Sequence, residues 1–281
     1  MQVDPKNPLW RFRGVRTTTI LFFVYLYVPI VILIALSFND SRLATIWTGF
    51  STRWYGIVVS NPDIVRAAEN SLIVASTATL SATVLATLAA LGMAKGRFGA
   101  QNAVSGLIAL PLTVPEIVTA VASLLFFVLI GLRLGLLTVI IAHTVFCIPF
   151  AYLPIRARLE GLDRTLLEAS ADLYANDWQT FRLVTLPYLW PGILSGAMLA
   201  FIISLDDFVI TYFVAGAGAT TLPVYIFGMI RIGVTPEVNA LSSLMLLISI
   251  LFVSLSFLVG RLRQETGSPH TGGAAVGTGD E

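Results

Sequence analysis

Apolar residues in this chain come in six long runs, broken by short polar stretches, instead of the alternating or one-sided patterns of a water-soluble domain. Measured against the roughly 20 residues that a helix needs to cross a hydrocarbon core, the runs are Thr18 to Phe38, Asn70 to Ala94, Asn102 to Ile130, Leu134 to Ile155, Tyr188 to Ala215 and Val238 to Leu262. The expected fold is therefore all-α and polytopic, with six transmembrane helices in a membrane domain over 18–265. An N-terminal segment (1–17) precedes it, an outer loop (39–69) and an inner loop (156–187) interrupt it, and a Gly-rich tail (266–281) without an apolar anchor is expected to be disordered.

Composition agrees: of 281 residues 56% are hydrophobic and 12% charged, and the mean hydropathy of +0.85 is far above that of a soluble domain. The first run follows Arg11, Arg13 and Arg16 as a secretory signal would, but it is too long and lacks a small-residue cleavage site, so it reads as a retained anchor. Basic residues set the orientation. With the N-terminus inside, inner segments collect Lys6, Arg11, Arg13, Arg16, Lys95, Arg97, Arg156, Arg158, Arg164, Arg182, Arg261 and Arg263, against only Arg42, Arg53, Arg66, Arg133 and Arg231 outside. Both termini are expected in the cytoplasm. In the outer loop, Trp54 and Tyr55 suit a short interfacial helix, as an aromatic belt pair or as a docking element.

A net charge of +1 offers no field for nucleic acid. Cys147 is the single cysteine, which excludes an internal disulfide and reads as a small buried residue; His143 and His270 lie far apart with no ligand cluster, so no metal site is expected. Neither a phosphate-binding glycine loop nor a nucleophile elbow is present, so no cofactor is expected and any ATP must be bound by another chain.

The inner loop is the anomaly. "LEASADLYANDWQTFRLVTLP" (167–187) is polar and helix-prone between two apolar runs. Glu168 to Leu173 favours a helix, and Asn176 with Gln179 three residues on has capping-box spacing, with Asp177 placed to meet the dipole of a second helix. That helix is expected to end near Val184, because the residue before Pro187 is pushed out of helical geometry. Trp178, Phe181 and Thr185 make a short stripe along it. Two readings stand side by side: a helix folded back on its own membrane domain, or a knob for a socket on another protein.

The passage resembles the cytoplasmic loop of permease subunits in ATP-binding-cassette importers, through Glu168, Ala169, Ser170, Ala175, Phe181, Leu186 and Pro187. The resemblance implies a type I importer fold. It also implies that the loop, including Asp172, Tyr174, Asn176 and Trp178, forms coupling helices that dock on a cytoplasmic ATPase. Ser170 replaces an alanine. Tyr174 stands where the family has glycine; since a bulky residue is strained at positive φ, the expectation is a turn of ordinary helical geometry, or poor coupling.

Ionisable groups inside spans are candidates for function by default. Glu116, behind Pro111 and Pro115, and the neighbours Asp206 and Asp207 qualify. At 1.5 Å per residue from the inner side, Glu116 and Asp206 rise about 21 and 27 Å, into the outer half of the membrane. Asp206 and Asp207 point about 100° apart on a helix, so one is expected to line a path while the other bonds a neighbouring helix. Both serving only to tie helices or cap a break is the alternative, and His143 is expected to bond a neighbour. Carboxylates without a matching Lys or Arg favour a cation.

"SLDDFVITYFVAG" and "TTLPVYIFGMIRIGVTPEVNALSSL" are similar to the second permease of bacterial spermidine/putrescine importers, and the likeness extends from the outer loop to the sixth run. It implies a transport subunit rather than an enzyme, importing a polyamine across the inner membrane. It implies as partners a homologous permease, two copies of the ATPase and an extracytoplasmic solute-binding protein. Related permeases for opines or other small solutes keep the substrate open. An ion-coupled carrier or a membrane enzyme are the rivals from other classes.

Overall fold

A computed structural model describes residues 13–43, 46–94 and 99–265 of the chain. The tail 266–281 and the inner charges Lys6, Arg11, Lys95 and Arg97 lie outside the described residues. The described residues form no β-strand, only an isolated bridge between Asn39 and Phe50. In order, the helices are α1 (Arg13–Ser37), α2 (Arg53–Ser60), α3 (Pro62–Ala94), α4 (Gln101–Thr113), α5 (Glu116–Leu129), α6 (Leu136–Glu160), α7 (Arg164–Asp172), α8 (Asp177–Thr180), α9 (Leu186–Asp206), α10 (Val209–Val214), α11 (Leu222–Ile232) and α12 (Pro236–Glu265). Five helical stretches are long and apolar enough to cross a membrane, or six if the bent pair α4 and α5 counts as one.

The centre of the bundle is α3, α6 and α9, joined by small side chains. Ala78, Ala82, Ala86 and Ala90 recur every four residues on α3 and are fully or nearly fully buried, so one face of that helix is a smooth strip. On α9, Gly192, Gly196 and Ala200 repeat the pattern toward α6. A Cβ added at Gly196 would lie 2.5 Å from the carbonyl oxygen of Ala151, which only glycine tolerates. In lipid, apolar side chains gain little by leaving their surroundings, so close backbone approach through small residues supplies the packing that holds helices together. By contrast α1 lies outside this core. Its large side chains from Ile20 to Ile32 are mostly exposed, and it packs chiefly on α12.

Three expectations change. The third run is not one straight helix: α4 and α5 meet at an angle of 111°, as a broken span or a re-entrant loop. Pro115 causes the corner, since it lacks an N–H and forces Val114 into extended geometry (ψ 133°). The fifth run is also interrupted, because Asp207 leaves helical geometry (ψ 126°) between α9 and α10. Finally, the helix that begins at Asp177 does not stop before Pro187. Asp177–Asp206 is a 30-residue helical stretch in which a π-helical turn, Phe181–Thr185, joins α8 to α9. The wider turn lets the Leu186 N–H reach back five residues to the Phe181 carbonyl. It also makes room ahead of the Pro187 ring, which sits in the first turn of α9.

Outside the core, α2 departs from a belt role. Trp54 is 8% exposed, packs with Val58, Ile64, Leu222 and Leu241, and donates its indole N–H to the Asn39 carbonyl at 2.8 Å. Tyr55 bonds Ser37 at 2.6 Å. This pair fastens the end of α1 to α3, α11 and α12 instead of marking an interface.

Candidate functional site

Two regions carry the candidate residues: the helical insert beyond the end of α6, and a polar node at the far end of α9.

The insert is built by local rules. Asp163 caps α7, its carboxylate accepting the Thr165 N–H at 2.9 Å, and this bond holds its carboxyl below the usual carboxylate range. At the other end, Tyr174 N–H donates to the Ala171 carbonyl at 2.9 Å and Ala175 N–H to the Ser170 carbonyl at 3.0 Å, the paired bonds of a Schellman stop. That stop needs a left-handed residue, and Tyr174 supplies it with φ +57°. The expectation of an ordinary helical turn is therefore overturned. The chain keeps the glycine-type geometry with tyrosine in place, because the two bonds over-determine the backbone and the side chain, 96% exposed, meets no obstacle.

The second half opens on a reciprocal capping box, Gln179 N–H to Asn176 Oδ1 and Asn176 N–H to Gln179 Oε1, both 2.9 Å. Ser170 is buried, donates to the Leu167 carbonyl at 2.7 Å and contacts the Thr180 hydroxyl at 3.1 Å, so it pins α7 to α8. An alanine there could not do this. Glu168, Ala169 and Asp172 are exposed on α7, and Trp178 stacks obliquely on Phe181 with centroids 5.6 Å apart. Leu173, Tyr174, Trp178 and Leu183 together expose much apolar surface on a segment that is otherwise polar. Leu186 and Pro187 begin α9, so any displacement of the insert acts directly on a helix that ends at Asp206.

At that far end the two neighbouring aspartates part company. Asp207, its side chain 2% exposed, accepts the Thr211 N–H at 3.0 Å and the Thr211 hydroxyl at 3.3 Å, capping α10. Its Oδ1 also lies 3.1 Å from His143 Nε2 on α6. His143, 1% exposed, contacts Ser204 of α9 through Nδ1 and Thr211 through Nε2, both at 2.8 Å. Glu116, half-buried in the first turn of α5, stands close enough to Asp207 for their carboxyl groups to interact. Cys147, fully buried one turn further along α6, is within 3.5 Å of the Ala200 carbonyl.

Asp206 is exposed instead and opens on a cleft of about 570 Å³ between α9, α11 and α12. Phe208, Phe227 and Phe252 line it with Leu205, Ile226 and Met245, and Ser242 and Ser249 add polar positions. The Phe208 and Phe227 centroids are 4.6 Å apart. A carboxylate with no hydrogen-bond or ion-pair partner among the described residues, in a cleft with aromatic lining, favours an organic cation over an anion. Among the described residues, no group of three or more His, Cys, Asp and Glu is placed to hold a metal ion.

The structure thus brings Glu116 and Asp207 together, turns Asp206 away from them, and sets the insert at the opposite end of α9. His143, Ser204 and Thr211 complete the node without having been singled out as site residues. The available signal was the spacing of Ser204 and Thr211, three before and four after Asp207, together with one histidine inside an apolar span.

Comparison with known proteins gives this geometry a context. Residues 82–264 match the family described as binding-protein-dependent transport system inner membrane component. The chain is 38% identical over 239 residues to the spermidine/putrescine transport system permease protein PotC of Escherichia coli K12, covering 85% of this chain and 90% of that protein. It is 42% identical over 234 residues to the putrescine transport system permease protein PotI of the same organism, covering 81% and 83%.

Among solved structures, a bacterial ABC transporter involved in the import of alginate aligns with a TM-score of 0.72 at 16% identity, over 91% of this chain and 96% of the other. The MetNI methionine ABC transporter aligns with a TM-score of 0.61 at 22% identity, over 70% and 94%. At these identities the structures establish the fold, that of type I ABC importer permeases. The helical span pattern and the sequence match lead to one conclusion: the chain belongs to the family of binding-protein-dependent transport system inner membrane components and is a transport subunit of an ABC importer.

Proposed function

We propose that this chain is one of two permease subunits of an importer that carries a polyamine, spermidine or putrescine, across the inner membrane. The observation that carries the proposal is the identity of 38% to PotC and 42% to PotI over more than four fifths of the chain. The exposed Asp206 carboxylate in an aromatic and apolar cleft supports it, since ammonium groups suit the carboxylate and methylene chains suit the walls. Of the three carboxylates expected along a substrate pathway, Glu116, Asp206 and Asp207, Asp206 is proposed as the residue that meets the ammonium group.

The partners in this reading are a homologous permease, two copies of a cytoplasmic ATPase and an extracytoplasmic solute-binding protein. Both termini and the α7–α8 insert face the cytoplasm, in keeping with the clustering of Arg156, Arg158, Arg164 and Arg182 about the insert. The ATPase receives the exposed edge formed by Tyr174 and Trp178, with Glu168, Ala169 and Asp172 beside it on α7. ATP binding then shifts the two permeases between inward- and outward-open states through contacts that differ between those states.

The test is reconstitution of the permease pair with the ATPase and solute-binding protein in vesicles, followed by ATP-dependent uptake of labelled spermidine and putrescine. Uptake that requires all subunits supports the reading. Uptake by this chain alone under an ion gradient, or selective uptake of a non-amine solute delivered by the binding protein, replaces it. Cysteine cross-linking from Asn176 or Gln179 to the ATPase tests the docking edge separately; labelling of those positions from outside the cell sinks the orientation.

A further inference from the structure

Two chain breaks meet at one point inside the bundle. The corner between α4 and α5 delivers Glu116, the break between α9 and α10 delivers Asp207, and α5 packs against α10 through Ala120, Ile210 and Val214. His143 reaches the same point from α6, which is helical and unbroken from Leu136 to Glu160. Its two ring nitrogens are both engaged, one with Ser204 before the second break and one with Thr211 after it, while Asp207 Oδ1 lies 3.1 Å away. A single imidazole therefore touches the helix on each side of the break and the residue at the break itself.

The packing makes that arrangement consequential. Irregular backbone at membrane depth is tolerated only where its polar groups find partners. Here the freed amides of α10 are taken by the Asp207 carboxylate, at 3.0 Å from Thr211 and 3.5 Å from Ile210. With its oxygens committed and its side chain almost wholly buried, Asp207 has no room for a passing cation. Asp206, one residue earlier and exposed to the cleft, has no such partners among the described residues. Rotation of the backbone at Asp207 would swing Asp206 relative to the cleft.

We infer that His143 and Asp207 form a buried latch that joins both sides of the broken fifth run to α6, next to the α4–α5 corner, and sets the orientation of Asp206, so that these residues position the transport site and do not themselves bind the solute. The inference rests on the reading of the chain as an importer subunit and not on which solute it carries. The adjacent aspartates then divide the work: Asp206 acts on affinity and Asp207 on the rate of the conformational step.

The experiment uses the reconstituted complex. Initial uptake rates are measured against solute concentration for His143→Ala, His143→Gln, Asp207→Asn and Asp206→Asn. Expected is a tenfold or greater fall in maximal rate for His143→Ala, with the half-saturating concentration within twofold of the unmodified complex. His143→Gln, whose amide can still donate toward Asp207, regains at least a third of the lost rate. Asp206→Asn raises the half-saturating concentration at least fivefold.

Spin labels at Val118 on α5 and Tyr212 on α10 give a second readout that needs no solute. One narrow distance distribution is expected in the unmodified complex, broadened by His143→Ala and narrowed again by His143→Gln. If no amine is taken up by the unmodified complex, the substrate reading fails while the distance measurement still decides the latch. Should His143→Ala not assemble with the ATPase, Thr211→Val and Ser204→Ala, which each remove one hydroxyl partner, are expected to show smaller falls in rate of the same kind. The latch is overturned by His143→Ala and His143→Gln that behave alike, by a His143 variant that shifts half-saturation as far as Asp206→Asn, or by distance distributions unchanged in every variant.

Discussion

The insert around Tyr174 and the node around His143 are both polar clusters attached to α9, at opposite ends of it, and they are held together by different physics. The bonds inside the insert span ten residues or fewer: the Asp163 cap, the Schellman pair at Tyr174, the Asn176 and Gln179 box, the Ser170 and Thr180 contact. The node is non-local, with His143 meeting partners 61 and 68 residues away in sequence. One is exposed and forgiving, and the other is enclosed. A change in the insert therefore acts on what binds there, whereas a change in the node acts first on whether three helices stay in register.

The sharpest way to break this comparison is at Asp207. Asp207→Ala leaves the Ile210 and Thr211 amides at the start of α10 without their acceptor inside the bundle, and each buried group left unpaired costs about 1–3 kcal/mol. The expected result is the largest loss of any single change considered, read as a fall in the unfolding temperature of the purified complex. A variant that unfolds with the unmodified protein would show that solvent already enters the node.

Next in size is Gly196→Ala. Its new Cβ would sit 2.5 Å from the Ala151 carbonyl oxygen, contact that only separation of α6 and α9 relieves. Overpacking of this kind costs about 1–3 kcal/mol. Because the site lies on the shared central helix and away from both clusters, the loss should appear in thermal stability with the half-saturating solute concentration unchanged.

These two cases show what could be read in advance. The apolar runs, their approximate limits, the capping box and the candidate carboxylates were all legible, because each depends on residues near one another in the chain. The breaks were only half legible: Pro115 announced a corner, yet its 111° angle depends on what α5 packs against. At Pro187 the local rule failed outright, since a π-helical turn absorbs the proline and keeps the helix running. Trp54 looked interfacial and is buried because Asn39 offers its indole an acceptor. His143 was expected to bond a neighbour, but the spacing of Ser204 and Thr211 about Asp207 does not by itself say that all three converge on it, because the partners lie more than 60 residues away.

Removal of a cap in the insert should be milder than either core change. Asn176→Ala deletes the acceptor for the Gln179 N–H and one half of the box, a loss of about 1 kcal/mol that falls on the α8 end alone. Global unfolding should move little. Hydrogen exchange at Trp178 and Gln179 should quicken, and capture of the ATPase by the purified permease should weaken several-fold. Unchanged capture would separate the order of this helix end from docking.

The smallest expected effect is at Tyr174, and it has the opposite sign. A non-glycine residue held at φ +57° is strained by about 1 kcal/mol, and Tyr174→Gly relieves that strain while adding freedom to the unfolded chain. The net change in stability should be a gain of a few tenths of a kcal/mol at most. Tyr174→Ala keeps the strain and loses the ring, so it serves as the control: both variants remove a side chain that is 96% exposed, and only one relaxes the backbone. If the ring is part of the docking edge, both weaken ATPase capture equally despite their different stabilities. If only the turn geometry matters, Tyr174→Gly captures as well as the unmodified chain and Tyr174→Ala does too, because the Schellman bonds at Ala171 and Ser170 persist in both. The pair thus decides whether tyrosine at this turn is a contact in its own right or a residue tolerated because the bonds around it leave the backbone no other course.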